Sequence, residues 1–332
     1  MLHILNGDGS ARVFRESTLT GECLVWREAL ALGPTPCKTT GNDWNEVRAA
    51  HLAKTYEQDI ARCRNTLLHQ EQGLQEFTQH DETVLWFEFD LFCQVNLIYL
   101  LNWFNSQNLA GHRLSLVCID KFPNVKNFRG LGQLEPEQLA TLFDERKPLR
   151  PAVLNLAADA WQAYTSPDPT QIEAFSRKDT SGLPFLREAF LVHLARFPSL
   201  LNGLGRIEKV LLNLIIGGID EFKPLFHMFL ELQPEYGFGD WQIWTHLENL
   251  SSVSNPLITI HKVKKTSRPL TSGDFMQAYF KMTDTGKAIL TGNSDMLNRN
   301  DIDVWLGGVH LSGHNPLWRW NEANERLVQD NR

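Results

Sequence analysis

The sequence predicts an α/β protein in three parts: a small, open, mostly parallel Rossmann-like sheet in residues 1–125, a helical connector over 126–200, and a winged-helix-like α+β module over 201–332. Three observations carry that prediction. In the first third, short apolar runs that end in polar residues alternate with helical segments, the pattern of buried parallel strands with helices on both faces. Past Asp120 the alternation stops and amphipathic helical stretches take over. Near the end, three such stretches precede two strand-like runs flanked by basic residues.

The strands are Leu2-His3-Ile4-Leu5-Asn6, Cys23-Leu24-Val25-Trp26, Val84-Leu85-Trp86-Phe87 and Leu114-Ser115-Leu116-Val117-Cys118-Ile119. A short helix is expected over 11–18 and a long polar helical pattern over 45–77, with a break near Gly73. An apolar helix over 91–106 has Leu97, Leu100, Leu101 and Phe104 at helical spacing. Further helices are expected after Pro136, over 152–164, over 185–196 and over 206–216, separated by the Ser166-Pro167-Asp168-Pro169 breaker and by Gly217-Gly218.

Composition bounds the function. With 42% hydrophobic residues, 10 Trp and 19 Phe, the chain can build a large core, and a net charge of −7 argues against nucleic-acid binding by bulk charge. The five cysteines, Cys23, Cys37, Cys63, Cys93 and Cys118, form no C-x-x-C pair and no zinc spacing. Their odd number, and an N-terminal segment without a basic stretch before a long apolar one, predict reduced thiols in a cytoplasmic protein. The apolar run over 95–104 is too short and too polar to span a membrane. No G-x-S-x-G is present, so nothing points to a hydrolase nucleophile elbow.

In parallel sheets, ligands bind at the carboxyl ends of the strands. The residues there are Asn6, Asp8, Ser10, Arg27, Glu28, Glu88, Asp90 and Asp120. Asn6-Gly7-Asp8-Gly9-Ser10-Ala11 is a glycine-rich turn from strand to helix. It reads either as an anion cradle of backbone N–H groups or as a tight turn with Asp8 or Ser10 capping the helix. Arg27 and Glu28 read as an anion grip and a general acid or base, or as a solvated pair before the Gly33-Pro34 turn. Trp86, Glu88 and Asp90 share a face at period two; two carboxylates there push one pKa upward, as in acid–base sites, although Asp90 also sits where an N-cap belongs. Gln94 falls one turn into the next helix on the same edge, and His3 reads as a satisfied core histidine or a ligand group.

At the C-terminal end, helices over 206–216, 222–232 and 241–250 precede strands over 257–263 and 279–282. Residues 260–290 hold six Lys/Arg, among them Lys262, Lys264, Lys265 and Arg268, against two Asp, so a basic wing could touch phosphates. The recognition-helix candidate, 241–250, has no Lys or Arg, which disfavours DNA and leaves a packing or protein-interaction module as the alternative. The runs 303–311 and 316–320 read as two strands around a glycine-rich turn.

Several blocks resemble the bacterial family known as domain of unknown function 1835: His3-Ile4-Leu5-Asn6-Gly7-Asp8, Trp26-Arg27-Glu28-Ala29-Leu30 with Gly33-Pro34, and Trp86-Phe87-Glu88-Phe89-Asp90 with Gln94. The 130–134 block Gly-Leu-Gly-Gln-Leu, the 203–206 block Gly-Leu-Gly-Arg, the 290–292 block Leu-Thr-Gly and the 305–311 block Trp-Leu-Gly-Gly-Val-His-Leu resemble the rest of the full-length proteins. Phe89 stands where similar proteins often carry a histidine before the aspartate. The resemblance implies an organisation and no activity.

Two functions follow as expectations. The first is a site for a small anionic ligand, a nucleotide or phosphorylated metabolite, held by His3, Asn6, Asp8, Ser10, Arg27 and Gln94, with Glu28, Glu88 and Asp90 doing Mg²⁺-assisted acid–base work. The second is a regulatory protein whose winged module contacts DNA or a protein partner. Neither involves a membrane.

Overall fold

The computed structural model describes residues 1–37, 41–263, 271–313 and 318–330. The chain runs β1 (Leu2–Asn6), α1 (Asp8–Glu16), β2 (Glu22–Trp26), α2 (Gly41–Thr55), α3 (Ile60–Gln75), β3 (Glu82–Glu88), α4 (Leu91–Asn105), β4 (Arg113–Ile119), α5 (Pro136–Asp144) and β5 (Lys147–Pro148). The sheet has the order β2-β1-β3-β4-β5. The four strands read from the apolar runs are mutually parallel, and β5, an unforeseen two-residue edge strand, is antiparallel to β4.

Strand alternation divides the sheet into two faces. Leu5, Val25, Val84, Trp86 and Val117 pack with Val13, Phe14, Leu139 and Leu142 of α1 and α5. Ile4, Leu85, Phe87 and Leu116 pack on the side of α4. Helix α4 is apolar around most of its girth because it is covered twice, by the sheet and by later helices. Each fully buried Leu or Ile in it contributes roughly 1.5–3 kcal/mol.

The later helices are α6 (Pro151–Thr165), α7 (Thr170–Phe175), α8 (Leu186–Leu194), α9 (Arg206–Ile216), α10 (Phe222–Leu232) and α11 (Asp240–Ser252). After them come β6 (Ile258–His261), α12 (Ser272–Phe275), β7 (Tyr279–Met282), α13 (Asp284–Leu290), β8 (Ile302–Leu306), β9 (Val309–Gly313), β10 (Trp318–Asn321) and β11 (Arg326–Gln329). One apolar cluster runs from Leu2 to Leu327 and so crosses the expected boundaries at 125 and 200.

Two expectations need correction, the helix break and the pairing of the last strands. The break in the long polar helix falls between α2 and α3, where Asp59 caps α3 by accepting from the Arg62 N–H, while Gly73 lies inside α3. Among the described residues, the strands of the C-terminal part form two-stranded antiparallel ribbons, the expected β6–β7 hairpin, β8–β9 and β10–β11. The wing residues Lys264, Lys265 and Arg268 lie outside the described residues. The run 303–311 folds on itself as the β8–β9 hairpin, and Trp318–Asn321 pairs with β11 instead. No helix among the described residues is long and apolar enough to cross a membrane.

Candidate functional site

Strand order reverses between β1 and β3: the chain steps outward from β1 to β2, then returns across β1 to β3 and β4. Such a reversal opens a crevice at the carboxyl ends of the two strands. The chain leaves β1 through Gly7 into the first turn of α1, Asp8–Ser10, and leaves β3 through Phe89–Asp90. Sequence and topology therefore converge on one place.

Helix α4 fastens that place through its few polar residues. Asn96 donates to Asn6 Oδ1 at 2.8 Å and to the Glu28 carbonyl at 2.7 Å. Gln94 donates to the Glu88 carbonyl at 2.7 Å. Cys93 Sγ lies 2.9 Å from Glu88 Oε2, donating to it, and receives the Asn6 amide at 2.9 Å. Asn6, Glu28 and Glu88 thus have their positions set by one helix.

Glu88 is buried, and its second oxygen accepts the Leu131 N–H at 2.8 Å. Burial, and then the nearby Asp90, push its carboxyl up to about 7. Asp90 is also buried and caps α4 by accepting the Cys93 N–H at 2.8 Å. Burial raises it to about 6, against the hydrogen bonds that favour its charged form. The Cys93 thiol is pushed well above its ordinary value by burial and by both carboxylates, so it is a protonated donor and no nucleophile.

Both carboxylates are roofed over. The Leu131–Gln133 turn sits on Glu88, and a Cβ added to Gly132 would lie 3.1 Å from the Gly9 carbonyl carbon. Gly237, with φ 65°, lies across Asp90, where a Cβ would come within 2.1 Å of Oδ1. Only glycine combines that backbone conformation with that approach.

The other expected residues divide between rim and core. Asp8 and Arg27 are exposed and pair with each other, Nη2 to Oδ1 at 2.7 Å and Nε to Oδ2 at 2.9 Å. The Arg27 guanidinium beside Asp8 holds its carboxyl below the usual range. Neither Asp8 nor Ser10 caps α1: Gly7 is the N-cap, and the Ser10 hydroxyl donates to the Asn6 and Gly7 carbonyls. His3 sits at the other end of β1, fully buried, with Nδ1 accepting from the Trp86 indole at 3.1 Å and Nε2 against the Thr20 carbonyl at 3.2 Å. Burial lowers it to about 4, so it is a neutral core histidine remote from the strand ends. Asp120 is exposed past β4.

Glu28 departs furthest from expectation. It is buried against Arg48, Nη2 to Oε1 at 2.7 Å, and accepts the Ala29 N–H at 2.8 Å. Arg48 also donates to the carbonyls of Ala29, Leu32 and Pro34. Tyr164 holds the Leu30 carbonyl and Arg196 that of Ala31. The Trp26–Pro34 block is therefore a loop pinned by three later elements, and Glu28 belongs to that anchor. Glu28, Glu88 and Asp90 do not form a common metal pocket; among the described residues no three His, Cys, Asp or Glu side chains do. The donor set does not fit the expected Mg²⁺.

Sequence reasoning missed Cys93, Asn96, Arg48, Leu131 and Gly237. Cys93 and Asn96 had a signal, as polar groups in the first turns of an otherwise apolar helix. Leu131 had one only as part of the 130–134 block, and Arg48 and Gly237 had none, since nothing local to them marks what they pack against. No family model matches the chain, and no curated protein matches it significantly. The class of molecule is set by geometry alone: an α/β protein whose mostly parallel sheet reverses its strand order between β1 and β3.

Proposed function

We propose that the chain binds a small anionic ligand, a nucleotide or phosphorylated metabolite, at the rim of the β1/β3 crevice. The observation that supports this most is the reversal of strand order at the turn carrying Gly7–Ser10. The first N–H groups of α1 have no intrahelical acceptor and sit at the positive end of its dipole, beside the exposed Arg27 guanidinium. Glu88, Cys93 and Asp90 shape the rim from below by fixing Leu131 and the start of α4; with both Glu88 oxygens and Asp90 Oδ1 engaged, the reading is binding and not acid–base catalysis. Membership of the domain of unknown function 1835 family belongs to the same proposal. The blocks that carry that resemblance in the first half, around Asn6, Glu28, Glu88 and Leu131, are the ones that meet here.

Thermal shift against nucleotides, sugar phosphates and inorganic phosphate tests this. A ligand at a hundred times its Kd stabilises the native state by about 2.7 kcal/mol. Arg27→Ala is expected to abolish the shift while costing less than about 1 kcal/mol of stability, because its ion pair is exposed. Asp8→Ala, which frees the guanidinium, is expected to strengthen it. No shift with any anion, or an unchanged shift in Arg27→Ala, overturns the proposal.

A second reading, a winged-helix interaction module, is supported by the order of α9, α10, α11 and the β6–β7 ribbon. The absence of Lys and Arg from 241–250 favours a protein partner; DNA binding that weakens steeply with salt would reverse that preference.

A further inference from the structure

We propose a second ligand site, independent of the anion rim: the cleft between α2, α3, α4 and α6 takes a small organic cation, an ammonium group with apolar substituents, seated against Trp44, Tyr99 and Trp161 with Glu71 as its counter-charge. The cleft has a volume of about 770 Å³, within the range of small-molecule sites. Trp44 of α2 and Tyr99 of α4 stack at 5.9 Å and 10°, and Trp161 of α6 stands edge-on to both, at 6.0 Å and 71° and at 5.1 Å and 76°. Three rings from three helices thus line the cleft; Tyr99 stacks on Trp26 as well, at 5.6 Å and 30°, and Trp161 on Tyr164, at 5.9 Å and 26°, so a cation meets what these rings leave open. Aromatic faces are electronegative and attract a desolvated cation more strongly than a neutral group.

Glu71 of α3 supplies the charge. It is half-buried on the same cleft and accepts one hydrogen bond, from the Asn45 amide at 2.9 Å. Among the described residues it has no cationic partner, in contrast to Asp159 on the same cleft, which pairs with Lys178 at 3.2 Å. Burial raises the Glu71 carboxyl, the condition of a carboxylate short of a counter-ion. The Asn102 amide lines the cleft with no hydrogen bond to another described residue, so a polar substituent on the cation has a partner at hand.

Tryptophan fluorescence of the full chain tests this with tetramethylammonium and choline, against 3,3-dimethylbutan-1-ol, the uncharged isostere of choline. A saturable response is expected with the two cations and none with the alcohol. Glu71→Gln keeps the shape and removes the charge, and is expected to weaken the cations at least about tenfold. Trp161→Phe, which keeps a smaller ring in the wall, is expected to weaken them less, and it stands as the test variant if Glu71→Gln does not fold. Equal binding of the alcohol, undiminished binding in both variants, or no saturable response up to about 10 mM overturns the proposal.

Discussion

The ends of β2 and β3 each bury a glutamate, and the two are accommodated differently. Glu28 faces a fully buried guanidinium, Arg48, which also holds three carbonyls of its loop. Glu88 faces a thiol, an amide N–H and a second carboxyl, with no cation on it among the described residues. Burial is equal, so the partner decides what burial costs. A paired charge becomes an anchor, whereas an unpaired carboxyl is driven toward its neutral form.

The largest effect that would break this comparison is expected from Arg48→Met. It strands Glu28 in the core and should cost about 3–5 kcal/mol in urea unfolding. The double variant with Glu28→Gln should recover a large part of that loss. Additive losses would show that the pair does not act as a unit.

The pH dependence sharpens the other half. Glu88 titrates near 7 in the folded chain against 4.5 as its ordinary value, and Asp90 near 6 against 3.8. Between those limits the folded state holds more protons than the unfolded one, so stability falls as pH rises from about 4 to 7 and levels off above. For Glu88 alone the expected loss is on the order of 3 kcal/mol. Glu88→Gln should flatten the slope; a slope unchanged in that variant would place the titration elsewhere.

The smallest effect is expected at Asp90. Asp90→Ala removes the cap of α4, about 1 kcal/mol, but also relieves Glu88 of a neighbouring charge. The net loss should therefore be smaller at pH 8 than at pH 5, measured by chemical denaturation. A loss independent of pH would separate Asp90 from the titration of Glu88.

Much of this was legible in advance where the chemistry is local. The four strand segments, the apolar α4 and the capping position of Asp90 follow from period and composition over a few residues. The candidate site was legible in part. Asn6, Glu88, Asp90 and Gln94 do meet around α4, yet His3 proved a core residue and Glu28 an anchor. The C-terminal hairpins were harder, because short ribbons differ only in which neighbour they pair with.

The sequence by itself determined the first four strands and most of the longer helices, and which polar groups stand at the strand ends, because spacing along the chain sets which face a side chain takes. The tertiary structure alone decided that strand order reverses between β1 and β3, that Arg48 meets Glu28, and that Leu131 and Gly237 close over Glu88 and Asp90. Those partners lie 20, 43 and 147 residues apart. Burial and pairing across such separations depend on how the elements pack and leave no mark on the local pattern.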